Sequence, residues 1–192
     1  MVDVCCTKCN SIDHILEGGF RSGHITEICG DEGTGKTQIC LQLLLAAQLD
    51  VAMGGLSSFA VYVTSVANYP AGRLAQMVPH VFGSFPPPDL NPLKRILVKK
   101  VESPYELIET LQSVEELVKD DRRYRVVVID SVPSICRFHF HNTRESMKER
   151  TSIVNVFSSG LRSLAEKYDV VAIAVNETVK VNPNEQRDCG LQ

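Results

Sequence analysis

Residues 30–38 read GDEGTGKTQ and fit the pattern G-x-x-x-x-G-K-[ST]. No other stretch constrains the fold as much. Its glycines let backbone N–H groups turn inward around phosphate oxygens, and the positive end of a following helix faces the same point. The pattern carries this meaning only between a strand and a helix. Residues 24–29, HITEIC, read as a short strand. Residues 37–49, TQICLQLLLAAQL, are rich in good helix formers and apolar on most faces, which predicts a buried helix. The predicted cradle is Gly30, Asp31, Glu32, Gly33, Thr34, Gly35, Lys36, Thr37 and Gln38. In it Lys36 supplies charge to the β- and γ-phosphates of a nucleoside triphosphate, and Thr37 offers a hydroxyl to Mg2+.

Further strands are expected at 59–64 (FAVYVT), 96–101, 125–130 (RVVVID) and 170–175 (VVAIAV), runs mostly apolar and rich in β-branched residues. Helices are expected at 70–78, from Ser103 to about Asp120, and over most of 143–167. The second carries its own start signal: Ser103 as cap, Pro104 in the first turn, Glu106 completing a capping box. Residues 80–93 hold four prolines and read as a loop. Strands without polar alternation are covered on both faces. Alternation with helices then predicts an α/β fold, a mostly parallel twisted sheet with helices on both faces. Asp130 closes one of these strands. Beside a phosphate loop, an acid there can hold Mg2+ together with Thr37, rather than merely cap the next turn.

The chain has 192 residues and a formal net charge of -3, so no global charge favours nucleic acid or membrane. Its longest apolar run is far too short to span a bilayer. Seven cysteines, an odd number, include Cys29 and Cys40 in strand-like and helix-like segments, where buried reduced thiols are usual. That pairing of thiols and phosphate loop points to a reducing compartment, cytosol or nucleus. Cys5, Cys6 and Cys9 contain one C-x-x-C, but the next candidate ligands, His14 and His24, are badly spaced for zinc. His139 and His141 share one face of an extended segment without an acid beside them and read as surface histidines. Lys94, Arg95, Lys99, Lys100, Arg122, Arg123 and Arg125 read as a solvated face. Arg137, Arg144, Lys148 and Arg150 follow the Asp130 strand, at the end of the sheet where α/β folds bind ligands.

Taken in order, IDHILEGG (12–19), ITEICGDEGTGKTQICLQL (25–43), VVVIDSV (126–132), AEK (165–167) and a buried strand ending in Asn176 resemble the ATPase core of the RecA-type recombinases, in their eukaryotic branch. The resemblance runs from Cys9 to about Lys180. CRFHFHNTRES (136–146), with Arg150, is most similar to the recombinase paralogues of the X-ray-repair cross-complementing type three subfamily. It implies a P-loop NTPase of RecA type that binds ATP and Mg2+. It also implies a role within a DNA-repair complex for homologous recombination, in the nucleus first and the cytoplasm second. The implied partners are another recombinase paralogue or recombinase subunit, and single-stranded or junction DNA. Arg73 matches the family arginine that stacks on adenine. Arg137, Arg144, Lys148 and Arg150 fall where the family has its first DNA loop.

Three departures from the family follow. Its efficient ATPases carry Glu after the second strand, in a phrase like Y-I-D-T-E; here the phrase is YVTSV and Val66 stands in that place. A valine neither orients nor deprotonates water, help worth ~10²–10⁴-fold. Asp89 and Glu27 are poor substitutes. The family's Asn-Gln is here Asn176-Glu177, with a negative charge toward the phosphates. The third is extent: the expectation is a single core over 1–192, lacking the C-terminal strands, with an unpaired sheet edge and no N-terminal helical domain. A nucleotide-holding subunit with weak or no hydrolysis is the resulting expectation. The competing reading is a DNA-dependent ATPase acting in strand exchange. A small-molecule kinase fits less well, because the Pro-rich loop does not resemble an Arg-bearing lid.

Overall fold

The computed structural model describes residues 2–65, 69–83, 91–136, 139–140 and 143–178. A two-stranded antiparallel pair, β1 (Val4–Cys5) with β2 (Phe20–Arg21), brackets a short helix, α1 (Asn10–Ile15). Then follow β3 (Ile25–Gly30), α2 (Lys36–Ala46), β4 (Phe59–Thr64), α3 (Ala71–Phe82), β5 (Ile96–Lys100), α4 (Pro104–Asp120), β6 (Tyr124–Asp130), α5 (Val132–Cys136), α6 (Arg144–Tyr168) and β7 (Val171–Glu177). The main sheet has the order β3-β7-β6-β4-β5, and every pairing in it is parallel. This is the α/β sheet expected from the unalternated strands.

Two apolar layers cover the sheet. On one face Leu41, Leu44 and Leu45 of α2 and Leu74 of α3 pack on Ala60, Tyr62, Val126, Val128 and Ile173. On the other, Leu107 and Val114 of α4 and Phe157, Leu161 and Leu164 of α6 pack on Val61, Val63, Val127, Ile129 and Ala172. Each Leu, Ile, Val or Phe among them contributes roughly 1.5–3 kcal/mol by leaving water. Alternate residues of a strand serve opposite faces, which is why FAVYVT and RVVVID need apolar residues throughout.

Among the described residues β3 and β5 are the sheet edges. All six residues of β3 are therefore only half-buried, Cys29 included, in contrast to Cys40 on α2, which has no exposure. The expectation of a buried thiol fails at Cys29 for this reason.

Helix ends depart from the reading in instructive ways. Ser103 does accept from the Glu106 N–H at 3.1 Å, but the Glu106 carboxylate accepts from Glu102 N, at 2.8 Å, and not from Ser103 N. Helix α3 runs past Pro79 to Phe82 and stops at Gly83, with φ of 80°. A proline near a helix end forfeits one hydrogen bond without breaking the turn that follows. The prolines 86–88 lie outside the described residues; Pro92 starts a short 3-10 turn and is buried, its carbonyl accepting from Gln48 Nε2 at 3.0 Å.

The segment before β3 is tied to α2. Asp13 accepts from Thr7 N at 2.6 Å and Thr7 Oγ1 at 2.8 Å, and Gln42 Nε2 donates to the Thr7 carbonyl at 2.5 Å. The second glycine of the 12–19 stretch is obligatory. Gly19 has φ of 137°, and a Cβ there would lie 2.2 Å from the Cys5 carbonyl oxygen.

Candidate nucleotide site

From β3 the chain crosses to β4 and out to β5, then turns back through β6 to β7, which inserts beside β3. The parallel strands β3, β7 and β6 therefore end together. Ligands of open α/β sheets sit at that end, where the winding changes direction. Here it carries an open cleft of about 490 Å3 lined by Glu32, Gly33, Gly35, Lys36, Thr37, Gln38, Tyr62, Pro70, Asp130, Ser131, Ser134, Val175 and Glu177.

Within the loop, Gly33 and Gly35 have φ of 78° and 95°. Gly35 is the cap of α2, and the left-handed turn there delivers the helix end to the cleft. The first-turn N–H groups of a helix have no partner inside it, and residues 35–38 face the cavity. The Lys36 ammonium donates to the carbonyls of Gly30 and Asp31, each at 2.8 Å. An ammonium has three donors, so these two bonds orient the charge without exhausting it. Thr34 Oγ1 donates to the Asp31 carbonyl at 2.8 Å and closes the turn.

Opposite the loop, Asp130 is almost buried. Thr37 Oγ1 donates to its Oδ2 at 2.7 Å and the Tyr62 phenol donates to the same oxygen at 2.8 Å. Burial, then the Asp130 carboxylate, push the Tyr62 phenol far above its ordinary pKa, so it remains a donor. Burial likewise pushes up the Cys40 thiol beneath the site and keeps it protonated. A hydroxyl that gives its proton to a carboxylate keeps its lone pairs for a cation. Thr37 and Asp130 are thus a hydroxyl and a carboxylate in contact, oxygen donors of the kind Mg2+ takes. The donor set fits that ion.

The other anticipated residues are placed as follows. Gly30, Asp31 and Thr34 form the loop's back. Thr178 hydrogen-bonds the Asp31 carboxylate, tying the end of β7 to the loop. Arg73 lies on α3 beside the cleft, its Nε donating to Gln38 Oε1 at 2.7 Å. Glu177 lines the same cleft as Lys36. Glu27 accepts from Asn176 Nδ2 at 2.7 Å and faces a second groove, between β3 and α6, of about 410 Å3. Val66, Asp89, Arg137 and His141 lie outside the described residues. Arg144, Lys148 and Arg150 are exposed on the first two turns of α6, at the cleft end of the sheet, and none lines the cleft. Glu145 and Glu149 alternate with them, and Glu149 hydrogen-bonds the Tyr105 hydroxyl.

Sequence reasoning missed Tyr62, Ser131, Ser134 and Thr178. Tyr62 alone left a signal. A tyrosine inside an otherwise apolar strand needs a partner for its hydroxyl, and the strand's period of two puts it on one face with Thr64.

A phosphate loop, the acid two strands away and an all-parallel sheet with helices on both faces define a P-loop α/β protein of RecA type. The chain belongs to the Rad51 family, whose model matches residues 1–189. Among curated relatives it is similar to a DNA repair protein XRCC3 homolog of Arabidopsis thaliana. The two are 32% identical over 181 residues, covering 89% of this chain and 59% of the relative. It is similar also to DNA repair protein RAD51 homolog 2 of Homo sapiens, 32% identical over 178 residues, 89% of this chain and 45% of that one. DNA repair and recombination protein RadA of Metallosphaera sedula is 30% identical over 173 residues, 90% of this chain and 52% of that protein. The chain thus spans about half the length of the curated relatives it matches. These relatives agree with the resemblance to the recombinase paralogues, the type three subfamily above all. Among the described residues no helix is long and apolar enough to cross a membrane.

Proposed function

We propose that this chain is an ATP-binding subunit of a homologous-recombination DNA-repair complex that holds nucleotide and hydrolyses it slowly or not at all. One observation carries the reading: the Thr37–Asp130 hydrogen bond at 2.7 Å sits beside Lys36 in one cleft, while no acid among the described cleft residues follows β4, where water would be activated. Asp130 Oδ2 accepts from two hydroxyl donors and the carboxylate is assigned to the cation, and Glu27 faces the other groove. Glu32 and Glu177 also line the cleft, but Glu32 belongs to the cradle itself and Glu177 ends β7, not β4.

In this reading the loop N–H groups and Lys36 bind the β- and γ-phosphates, and Thr37 and Asp130 hold Mg2+. When bound, the cation neutralises phosphate charge. Arg73 closes the adenine side, where Gln38 orients its guanidinium. Glu177 opposes the phosphates and lowers affinity relative to a glutamine there. The nucleotide then stabilises the folded chain by mass action. Raising Mg2+–ATP to about 100 times its dissociation constant is expected to add about 2.7 kcal/mol to the unfolding free energy. A thermal melt with and without Mg2+–ATP reads this directly, and an unmoved midpoint at millimolar nucleotide contradicts it.

DNA binding is assigned to Arg144, Lys148 and Arg150 on α6, with Arg137 before it. The three on α6 lie at the cleft end of the sheet and can track backbone phosphates. Changing Arg144 and Lys148 to Ala is expected to lower single-strand affinity and flatten its salt dependence, by up to ~0.7 in log–log slope for each phosphate the helix no longer neutralises. Filter binding across a salt series tests it; identical slopes count against this helix end as a DNA surface. Partners are another recombinase paralogue or a recombinase subunit, and the setting is the nucleus. A DNA-dependent ATPase acting in strand exchange is the alternative reading, and it requires a carboxylate supplied from a neighbouring subunit.

A further inference from the structure

The network around Asp130 has one member that the nucleotide reading leaves idle. Tyr62 is 1% exposed, in the middle of β4, under the first turns of α2. Its ring lies against Tyr69, centroids 5.6 Å apart, and its hydroxyl reaches Asp130 Oδ2 at 2.8 Å. Thr64 stands two residues on, on the same face of the strand. Two hydroxyls thus meet one acid, Tyr62 from β4 and Thr37 from α2.

The count of donors and lone pairs is tight. Asp130 Oδ2 takes one proton from Thr37 and one from Tyr62, which uses the two lone pairs of that oxygen. Oδ1 remains for a cation or its water. Thr37 has one proton and has given it to Asp130, so its lone pairs stay available to the cleft. The terminal torsion of a carboxylate is soft, and without the phenol Thr37, itself assigned to the cation, is the one hydrogen-bond partner among the described residues that would hold Asp130 in this orientation.

We propose that Tyr62 is a positioning residue for a divalent cation held by Thr37 and Asp130. Its phenol O–H fixes the Asp130 carboxylate so that the Thr37 proton points at the acid and the Thr37 lone pairs point at the metal. The inference rests on the nucleotide-site reading above. It also assigns a use to a polar group placed in an otherwise apolar strand.

The test is Tyr62→Phe in the full chain, with Mn2+ as the probe. Mn2+ binding in the presence of saturating ATP is read by electron paramagnetic resonance, and ATP affinity is read separately in EDTA. Loss of an outer partner to a metal ligand typically costs ~10–100-fold in metal affinity. Tyr62→Phe is therefore expected to weaken Mn2+ by about tenfold or more while ATP affinity in EDTA stays within about twofold. In an Asp130→Asn background, Tyr62→Phe adds no further loss. Tyr62→His, which keeps a ring with an N–H donor on the same strand face, is expected to show a smaller loss in the same direction and carries the test if Tyr62→Phe does not fold. Unchanged Mn2+ affinity, or an equal loss with and without metal, overturns the inference while leaving nucleotide binding intact. A wild-type chain that binds neither ATP nor Mn2+–ATP overturns the nucleotide reading and this inference with it.

Discussion

Replacing Lys36 with Ala is expected to weaken Mg2+–ATP binding by at least ~100-fold, through the loss of charge-assisted hydrogen bonds worth roughly 1.5–3 kcal/mol each. The argument is geometric. The ammonium is already oriented by two carbonyls of its own loop, at 2.8 Å each, over the turn that the loop N–H groups line. Little ordering cost remains to be met when phosphate arrives, so most of the interaction is realised as affinity. Lys36 sits on the first turn of a helix whose packing is made by Leu41, Leu43, Leu44 and Leu45. The Ala variant should therefore melt with the wild type when nucleotide is absent. Fluorescent-nucleotide titration beside a nucleotide-free melt checks both halves. Wild-type affinity in the variant would mean that nucleotide, if bound, is held elsewhere.

The second large effect is a gain. Val66→Glu is expected to raise phosphate release by roughly 10²-fold, the lower end of what positioned general-base help contributes. Strand β4 ends at Thr64, beside Asp130 of β6 in register, so the chain reaches the cleft end of the sheet shortly before Val66. A carboxylate entering there needs no new charge partner, because Lys36, Thr37 and Asp130 already line the cleft at that end. Steady-state phosphate release measured in Val66→Glu, and again with Lys36→Ala added, gives the check. The gain must vanish in the double variant. No gain, in a protein that still binds nucleotide, would show that Val66 does not occupy the missing acid's place.

Much of this architecture is legible in residues. Unalternated strands demand covering on both faces, and GDEGTGKTQ between HITEIC and a Leu-rich helix leaves one position for a phosphate cradle. Asp130 stands out in the sequence only because a phosphate loop precedes the strand that it closes; in the structure two hydroxyls meet it. What stays hidden has physical reasons. The strands β1 and β2 have two residues each, too few for any period to show. Helix α5 has five residues, too few to show a helical period. The half-burial of Cys29 depends on β3 being an edge, which is a fact of topology and not of local sequence. Helix α3 passes Pro79 because it has less than one turn left to run. Glu106 serves Glu102 instead of Ser103, a choice between neighbouring donors that spacing alone does not decide. Tyr62 is readable only as a tyrosine in need of a partner, and the partner emerges only once β4 lies beside β6.

The central claim is that this loop holds nucleotide and does not cut it. The most direct measurement takes one sample through both questions: labelled ATP titrated with Mg2+, then phosphate release at saturation, with and without single-stranded DNA, beside Lys36→Ala. The account predicts saturable binding that Mg2+ strengthens and Lys36→Ala weakens at least ~100-fold, with phosphate release in the wild type no faster than in that variant whether or not DNA is present. DNA-stimulated release in the wild type, lost in Lys36→Ala, would contradict it and return the chain to the ATPases.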